Sequence, residues 1–343
     1  MVLVGSDDGV YRVPTSEVAG TADPVEATKT LDSGRVMRLR RFDGVSGAFA
    51  ATTTGLYRYD GDRWTGLGVP RERVYAVGAA ADGDRLYAGT RPAHVYVADV
   101  DGRGTPTEAS DWRELWGFQE LPSRDEWQLP RHDDLAQVRD LHADPETSDR
   151  VVAGVEVGGV HVSDDGGETW TERRDGVDDD VHELHVTGAG EYVAATGFGL
   201  FRTSDAGRNW TRLDEDVPQR YFRAVFALDG TTYAAGALAH SATWDDDDAD
   251  PALFAVRDDA IGVAESGGAS DDGDSEGGTL ERLPLPRDDE TVTGMTAVGD
   301  DLLVATHRGS LFVRRADGWG DAGAFPVDDS VTGRYTPLVA EST

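Results

Sequence analysis

Apolar residues recur along this chain in short runs separated by Gly, Asp and Ser, the pattern of many brief β-strands joined by tight turns. Two stretches repeat almost residue for residue. One runs Val151-Val152-Ala153-Gly154, then Gly159-Val160-His161-Val162, then Ser163-Asp164-Asp165-Gly166-Gly167-Glu168-Thr169-Trp170. The other runs Tyr192-Val193-Ala194-Ala195, then Gly199-Leu200-Phe201-Arg202, then Thr203-Ser204-Asp205-Ala206-Gly207-Arg208-Asn209-Trp210, 40 residues later. The same grammar persists in worn form at Gly55-Leu56-Tyr57-Arg58 before Trp64, and at Ser310-Leu311-Phe312-Val313 before Trp319. Gly9-Val10-Tyr11-Arg12 and Val95-Tyr96-Val97 fill equivalent slots.

A second marker precedes each copy: an apolar residue, another three places on, and usually a small one two further. It occurs at Val36/Leu39, Val74/Val77/Ala79, Val138/Leu141/Ala143, Val181/Leu184, Phe222/Val225/Ala227, Val292/Met295/Ala297 and Tyr335/Leu338/Ala340. A period of about 40 residues with four short strands per repeat is that of a β-propeller. Seven markers predict seven innermost strands. The last has no strands after it, whereas the N-terminus starts on a second strand with none before it. Joining Tyr335–Ala340 to Val2–Val13 completes one blade and removes the edges an open sheet would expose. The expected fold is therefore all-β, a single seven-bladed propeller over residues 1–343 with its closing blade shared by the two termini.

Two insertions break the period. Residues 104–135 hold Trp112, Trp116, Phe118 and Trp127 and are expected to fold over one end of the barrel. Residues 245–290 contain Asp245–Asp248 and a Gly/Ser/Asp/Glu tract from Glu265 to Gly278. The near absence of apolar side chains predicts a loop that is partly disordered.

Composition adds the solvent. Asp and Glu number 65 against 32 Lys plus Arg, a net charge of −33, and Lys29 is the sole lysine. With 38% hydrophobic residues the chain has the means to build a core, so the acid is read as a hydrated shell rather than as disorder. Such a shell suits molar salt, where the Debye length falls to about 3 Å and self-repulsion is screened. The composition resembles that of proteins from salt-accumulating haloarchaea. No basic stripe exists to neutralise phosphates, which excludes nucleic acid as a partner. Absence of cysteine excludes disulfides, thiolate metal sites and a cysteine nucleophile. The N-terminus lacks a signal-like segment and no apolar run reaches the ~20 residues of a membrane span, so the expectation is a cytoplasmic protein away from membranes.

The turn Ser/Thr-x-Asp-x-Gly-x-Thr/Asn-Trp resembles the Asp-box of BNR-repeat propellers, a group grouped with WD40/YVTN-like folds and often called sialidase- or glycosyl-hydrolase-like. Here it comprises Ser163, Asp165, Gly167 and Trp170, and Thr203, Asp205, Gly207 and Trp210. Its chemistry is structural: the Asp caps turn N–H groups, Gly takes a positive φ, and Trp buries its rings between sheets. The likeness extends through Gly158-Gly159-Val160, Asp180-Val181-His182-Glu183 and Tyr221-Phe222-Arg223-Ala224-Val225. It implies a fold rather than a reaction. Plant and cyanobacterial photosystem assembly factors share the architecture, though nothing in this sequence supports a light-harvesting client. The Phe/Tyr-Arg-Ile-Pro segment of sialidases is absent, and glucan-cleaving relatives use a cleft between two propellers where this chain supplies one.

Candidate chemistry therefore moves to the starts of the inner strands, which line a propeller's channel. In ring order these are Met37-Arg38, Tyr75-Ala76, Arg139-Asp140, His182-Glu183, Arg223-Ala224, Thr293-Gly294 and Thr336-Pro337, with Glu156 and Tyr221 near the same end. Arg38, Arg139, Glu156, His182, Glu183, Tyr221 and Arg223 form the candidate ligand site, and His182 and Glu183 are the acid/base candidates if chemistry occurs. Two readings stay open. These groups pair with one another and with water, or Arg139 and Arg223 hold a small anionic or sugar-like ligand. His182 and His185 lie three apart, which on a regular strand puts them on opposite faces and argues against a metal. No cofactor is implied. A non-catalytic scaffold or ligand-binding module stands first, a glycosidase-like hydrolase second, and an assembly factor gripping a protein client through residues 104–135 third.

Overall fold

The computed structural model describes residues 1–14, 26–100, 104–130, 133–147, 149–257, 279–325 and 335–340. Seven four-stranded antiparallel sheets stand in a ring, making the chain an all-β, seven-bladed propeller. Blade I joins the two ends of the chain. Leu338–Ala340 is innermost, followed outward by Val2–Gly5, Gly9–Val13 and Thr28–Asp32, with Val4 opposite Leu338 and Val2 opposite Ala340. The remaining blades start at the inner strands Val36–Phe42 (II), Val74–Ala79 (III), Gln137–Ala143 (IV), Val181–Gly188 (V), Tyr221–Leu228 (VI) and Val292–Val298 (VII). Second strands such as Val151–Glu156 in blade IV are buried on both faces, because each sheet is covered by its neighbours.

Six inner strands carry a β-bulge at the same position, between Val36 and Arg38, Val74 and Ala76, Val138 and Asp140, Val181 and Glu183, Phe222 and Ala224, and Val292 and Gly294. The residue before each bulge is an anchor in the seam between blades: Val36, Val74, Val138, Val181, Phe222 and Val292 are all buried. The extra residue is Met37, Tyr75, Arg139, His182, Arg223 or Thr293. A bulge re-aims a side chain out of the regular alternation, and here Met37, Arg139, His182, Arg223 and Thr293 all line one cavity on the axis. Gly294 lets blade VII approach blade I, since a Cβ there would lie 1.9 Å from the Thr336 carbonyl oxygen.

Both insertions turn out to contain blade strands. Within residues 104–135, Arg113–Glu114 is the outer strand of blade III. Leu115, Phe118, Leu121 and Trp127 pack in the seam between blades III and IV, and Trp112 in the seam between blades II and III, rather than over an end of the barrel. Trp127 and Phe118 lie against His161, and Phe118 against Trp170. Trp112 donates to the Leu67 carbonyl at 2.7 Å. Within residues 245–290, Ala252–Arg257 and Glu281–Leu283 are the third and outer strands of blade VI. The continuous apolar run Ala252-Leu253-Phe254-Ala255-Val256 is masked in the sequence by acidic neighbours on both sides; the tract from Glu265 to Gly278 lies outside the described residues.

The turns at Ser163–Trp170 and Thr203–Trp210 close on themselves in the same way. Ser163 Oγ donates to Asp165 Oδ1 at 2.8 Å and accepts from Gly167 N at 2.8 Å. Asp165 accepts from Thr169 N and Oγ1 at 2.8 and 2.7 Å. In the second turn Thr203, Asp205, Gly207 and Asn209 repeat the arrangement. Gly167 takes φ 97°, which its role as the inward N–H donor requires. Trp170 donates to Gly167 O at 2.9 Å, whereas Trp210 reaches back to Arg173 O at 2.9 Å.

Candidate functional site

The bulges set two layers of polar side chains into the channel. In the lower layer Asp140 of blade IV is fully buried and takes both oxygens to Arg40 Nη2, at 3.1 and 3.0 Å. It also accepts from Leu141 N and Leu184 N, each at 3.1 Å, and lies 3.3 Å from Arg38 Nη2. Burial pushes the Asp140 carboxyl up, but Arg38 and Arg40 outweigh it and hold the group well below the usual carboxylate range. Arg38 forms an ion pair with Glu183 and also donates to the Arg139 and His182 carbonyls at 3.1 and 3.3 Å. Glu183 accepts in addition from Val225 N at 3.1 Å. Chains of charge-assisted bonds thus tie blades II, IV, V and VI across the axis.

The upper layer holds Arg139, Glu156, His182, Tyr221, Arg223 and Tyr335. Arg139 faces Glu156 at 3.5 Å and donates to the Tyr335 hydroxyl at 2.8 Å. Burial raises Glu156, yet Arg139 and His182 together with a hydrogen bond from Gln137 bring it below its ordinary value. His182 lies 2.7 Å from the Phe222 carbonyl, which only accepts, so the proton sits on Nδ1. Its Nε2 faces Asp180 at 3.5 Å. The His182 ring packs on Tyr221 at 4.5 Å, and Tyr221 in turn meets Trp244 at 6.1 Å. Burial pushes the Tyr221 phenol up to about 12. The guanidinium of Arg223 sits 3.9 Å from the centre of the Tyr335 ring.

Between the layers is a cavity of about 30 Å³ lined by Arg38, Arg40, Arg139, His182, Glu183, Arg223 and neighbours. On the scale where one water needs roughly 10–15 Å³, it holds a few water-sized groups.

Five of the seven sequence-selected ligand residues, Arg38, Arg139, His182, Glu183 and Arg223, line this cavity. Glu156 stands behind Arg139, and Tyr221 behind His182. The turn residues Asp165 and Asp205 lie on the outer half of their blades, away from the channel. Two corrections follow. In blade I Pro337 lines the cavity, but beside it stands Tyr335, counted in the sequence as an apolar marker; Thr336 is fully buried and donates to Thr306 O at 3.3 Å. Second, His182 and His185 do not oppose each other. The bulge after Val181 restores the alternation one residue late, so His185 follows Glu183 on the channel side and accepts from Ala227 N at 3.2 Å, two residues below the Val225 N that Glu183 binds. Arg40 was missed altogether, although its place two residues after Arg38 on a strand puts it on the same face.

Fold and channel define a seven-bladed propeller with a charged, tightly filled axis. No family model matches the sequence, nor does any curated protein. Solved structures do match. The YCF48 protein bound to D1 peptide superposes with a TM-score of 0.52 at 15% identity, covering 83% of this chain and 81% of that one. The Swd1 β-propeller domain from Myceliophteria thermophila gives 0.56 at 11%, covering 84% and 85%. The GH74 xyloglucanase from Xanthomonas campestris gives 0.55 at 18%, covering 91% of this chain but 46% of the enzyme, so this chain spans less than half of the enzyme's length. At these identities the likeness is one of fold. Among the described residues no helix is long and apolar enough to cross a membrane, and no cluster of metal-ligating side chains occurs.

Proposed function

We propose that this protein is a non-catalytic propeller that binds a small polar ligand at the upper mouth of its channel, in a salt-rich cytoplasm. The observation that carries this reading is the state of the channel carboxylates. Glycoside hydrolysis needs one carboxyl free to give a proton and a second free to attack or to activate water, on either side of the scissile bond. Asp140, Glu183 and Glu156 are each held by arginine, and of the three only Glu183 lines the cavity, whose volume of about 30 Å³ is too small for a sugar ring. His182, the other acid/base candidate, has its Nδ1 proton committed to Phe222 O.

A protein client is the second reading. It is favoured by the likeness to a propeller whose structure holds a peptide. The Trp-rich segment gives it less support, because Trp112 and Trp127 are buried and only Trp116, 65% exposed, faces solvent.

The test is a thermal-shift panel of small acids, phosphates, sugars and peptides in molar KCl, repeated with Arg139→Ala and Arg223→Ala, alongside hydrolysis assays on aryl glycosides and xyloglucan. A stabilising compound lost in the channel variants is the expected result. Glycoside turnover abolished by Glu183→Gln or Glu156→Gln would overturn the reading.

A further inference from the structure

Four arginines converge on the channel, and among the described residues three have carboxylate partners. Arg38 and Arg40 share Asp140 and Glu183, and Arg139 has Glu156. Arg223 has none. It is 6% exposed, and its guanidinium makes no hydrogen bond or ion pair with a described residue; what it has is the face of Tyr335. Its guanidinium nitrogens are left to the solvent of the cavity, because an aromatic face attracts the cation but accepts none of its N–H donors in line. The polar groups beside Arg223 are themselves oriented. Tyr335 accepts a hydrogen bond from Arg139 through its hydroxyl oxygen, which leaves its own O–H free to donate.

We propose that Arg223 and the Tyr335 hydroxyl form a subsite for a single carboxylate group, the anchor of the ligand in the binding reading above, on which this inference rests. Three features select a carboxylate. The guanidinium fork matches the two oxygens of a planar CO₂⁻. A carboxylate adds a single negative charge beside Arg223, whereas a phosphate dianion would add two to a layer that already holds Glu156 and Asp180. The cavity of about 30 Å³ admits a three-atom group and excludes a sugar ring. A free organic acid and the C-terminal end of a peptide present the same group.

The experiment follows ¹³C-carboxyl-labelled acetate by NMR line broadening at constant molar KCl, where the net charge of −33 is screened. Saturable broadening is expected in the wild type, competed by a short peptide with a free C terminus if the natural source is a peptide end and by small acids alone if it is not. Acetamide and the peptide amide should not compete. Arg223→Met should weaken acetate binding tenfold or more, and Arg223→Lys, which keeps the charge without the fork, provides a second folded variant with an intermediate loss. Broadening that does not saturate, that persists unchanged in Arg223→Met, or that phosphate competes more tightly than acetate would overturn the carboxylate subsite. If acetate fails while another compound stabilises the protein through Arg139, the subsite falls and the binding reading stands; glycoside turnover would remove both.

Discussion

Asp140→Asn is the sharpest probe of the channel. The substitution keeps the shape of the side chain but removes its charge and turns one acceptor into a donor. Asp140 accepts from Arg40, Leu141 N and Leu184 N and lies against Arg38, so the amide cannot satisfy all of them. Arg38 and Arg40 are then left to share Glu183, two guanidinium groups with one carboxylate. Removing one partner from a buried ion network costs about 3–5 kcal/mol. With an unfolding entropy of roughly 2.1 cal/mol/K per residue, this chain has about 0.7 kcal/mol/K, so the melting temperature should fall by about 4–7 °C. The assay is calorimetric melting in molar KCl of Asp140→Asn, Arg40→Met and the double variant. Because Arg40→Met removes one of the stranded cations, the double variant should be more stable than the sum of the singles predicts, by about 1–3 kcal/mol. A single-variant loss under about 1 kcal/mol, or additivity within about 0.5 kcal/mol, would refute the view that Asp140 holds the lower layer together.

Two further outcomes are expected. His161 is fully buried among Phe118 and Trp127, and burial pushes its pKa from 6.5 down to about 4. As pH falls through 6.5 the unfolded chain takes the proton first, so stability is complete above that value and declines toward pH 4, by about 3 kcal/mol at about 1.4 per unit. In His161→Leu this share of the decline should vanish from denaturant titrations between pH 4 and 6.5; an unchanged slope would show that His161 is not its source. Finally, moving from dilute buffer to molar KCl should raise the melting temperature of the wild type, since the Debye length shrinks from about 30 Å at 0.01 M to about 3 Å at 1 M. A melting temperature indifferent to KCl would remove the argument from composition to habitat.

The Ser163–Trp170 and Thr203–Trp210 turns were legible in the sequence because their chemistry is local. Ser163, Asp165, Gly167 and Thr169 bond to one another within a span of seven residues, and any chain with those types at that spacing has the same option. The apolar markers were legible for a similar reason: Val138 and Leu141, or Val181 and Leu184, fill seams that every blade presents alike. Repetition then gave the seven blades, and the complementary deficit at the two termini gave the pairing of Val2–Gly5 with Leu338–Ala340. Which residues begin each inner strand follows from that register alone.

Charge pairing was beyond its reach. Arg38 meets Glu183 across 145 positions and Arg40 meets Asp140 across 100, partners on different blades brought together by ring closure. With 65 acidic residues to choose from, sequence separation carries no information about which one an arginine finds. The face of His185 depended on a bulge that shifts a two-residue period by one, a feature with no signature in the residues themselves. Tyr335 lines the cavity although the apolar pattern marks it as a seam anchor. Arg223 shows the division most plainly. Its position at the channel came from the repeat, but its lack of a carboxylate partner among the described residues emerged only once Asp140, Glu183 and Glu156 had been assigned to the other three arginines. Local pattern determines where a side chain points; long-range closure decides what it meets there.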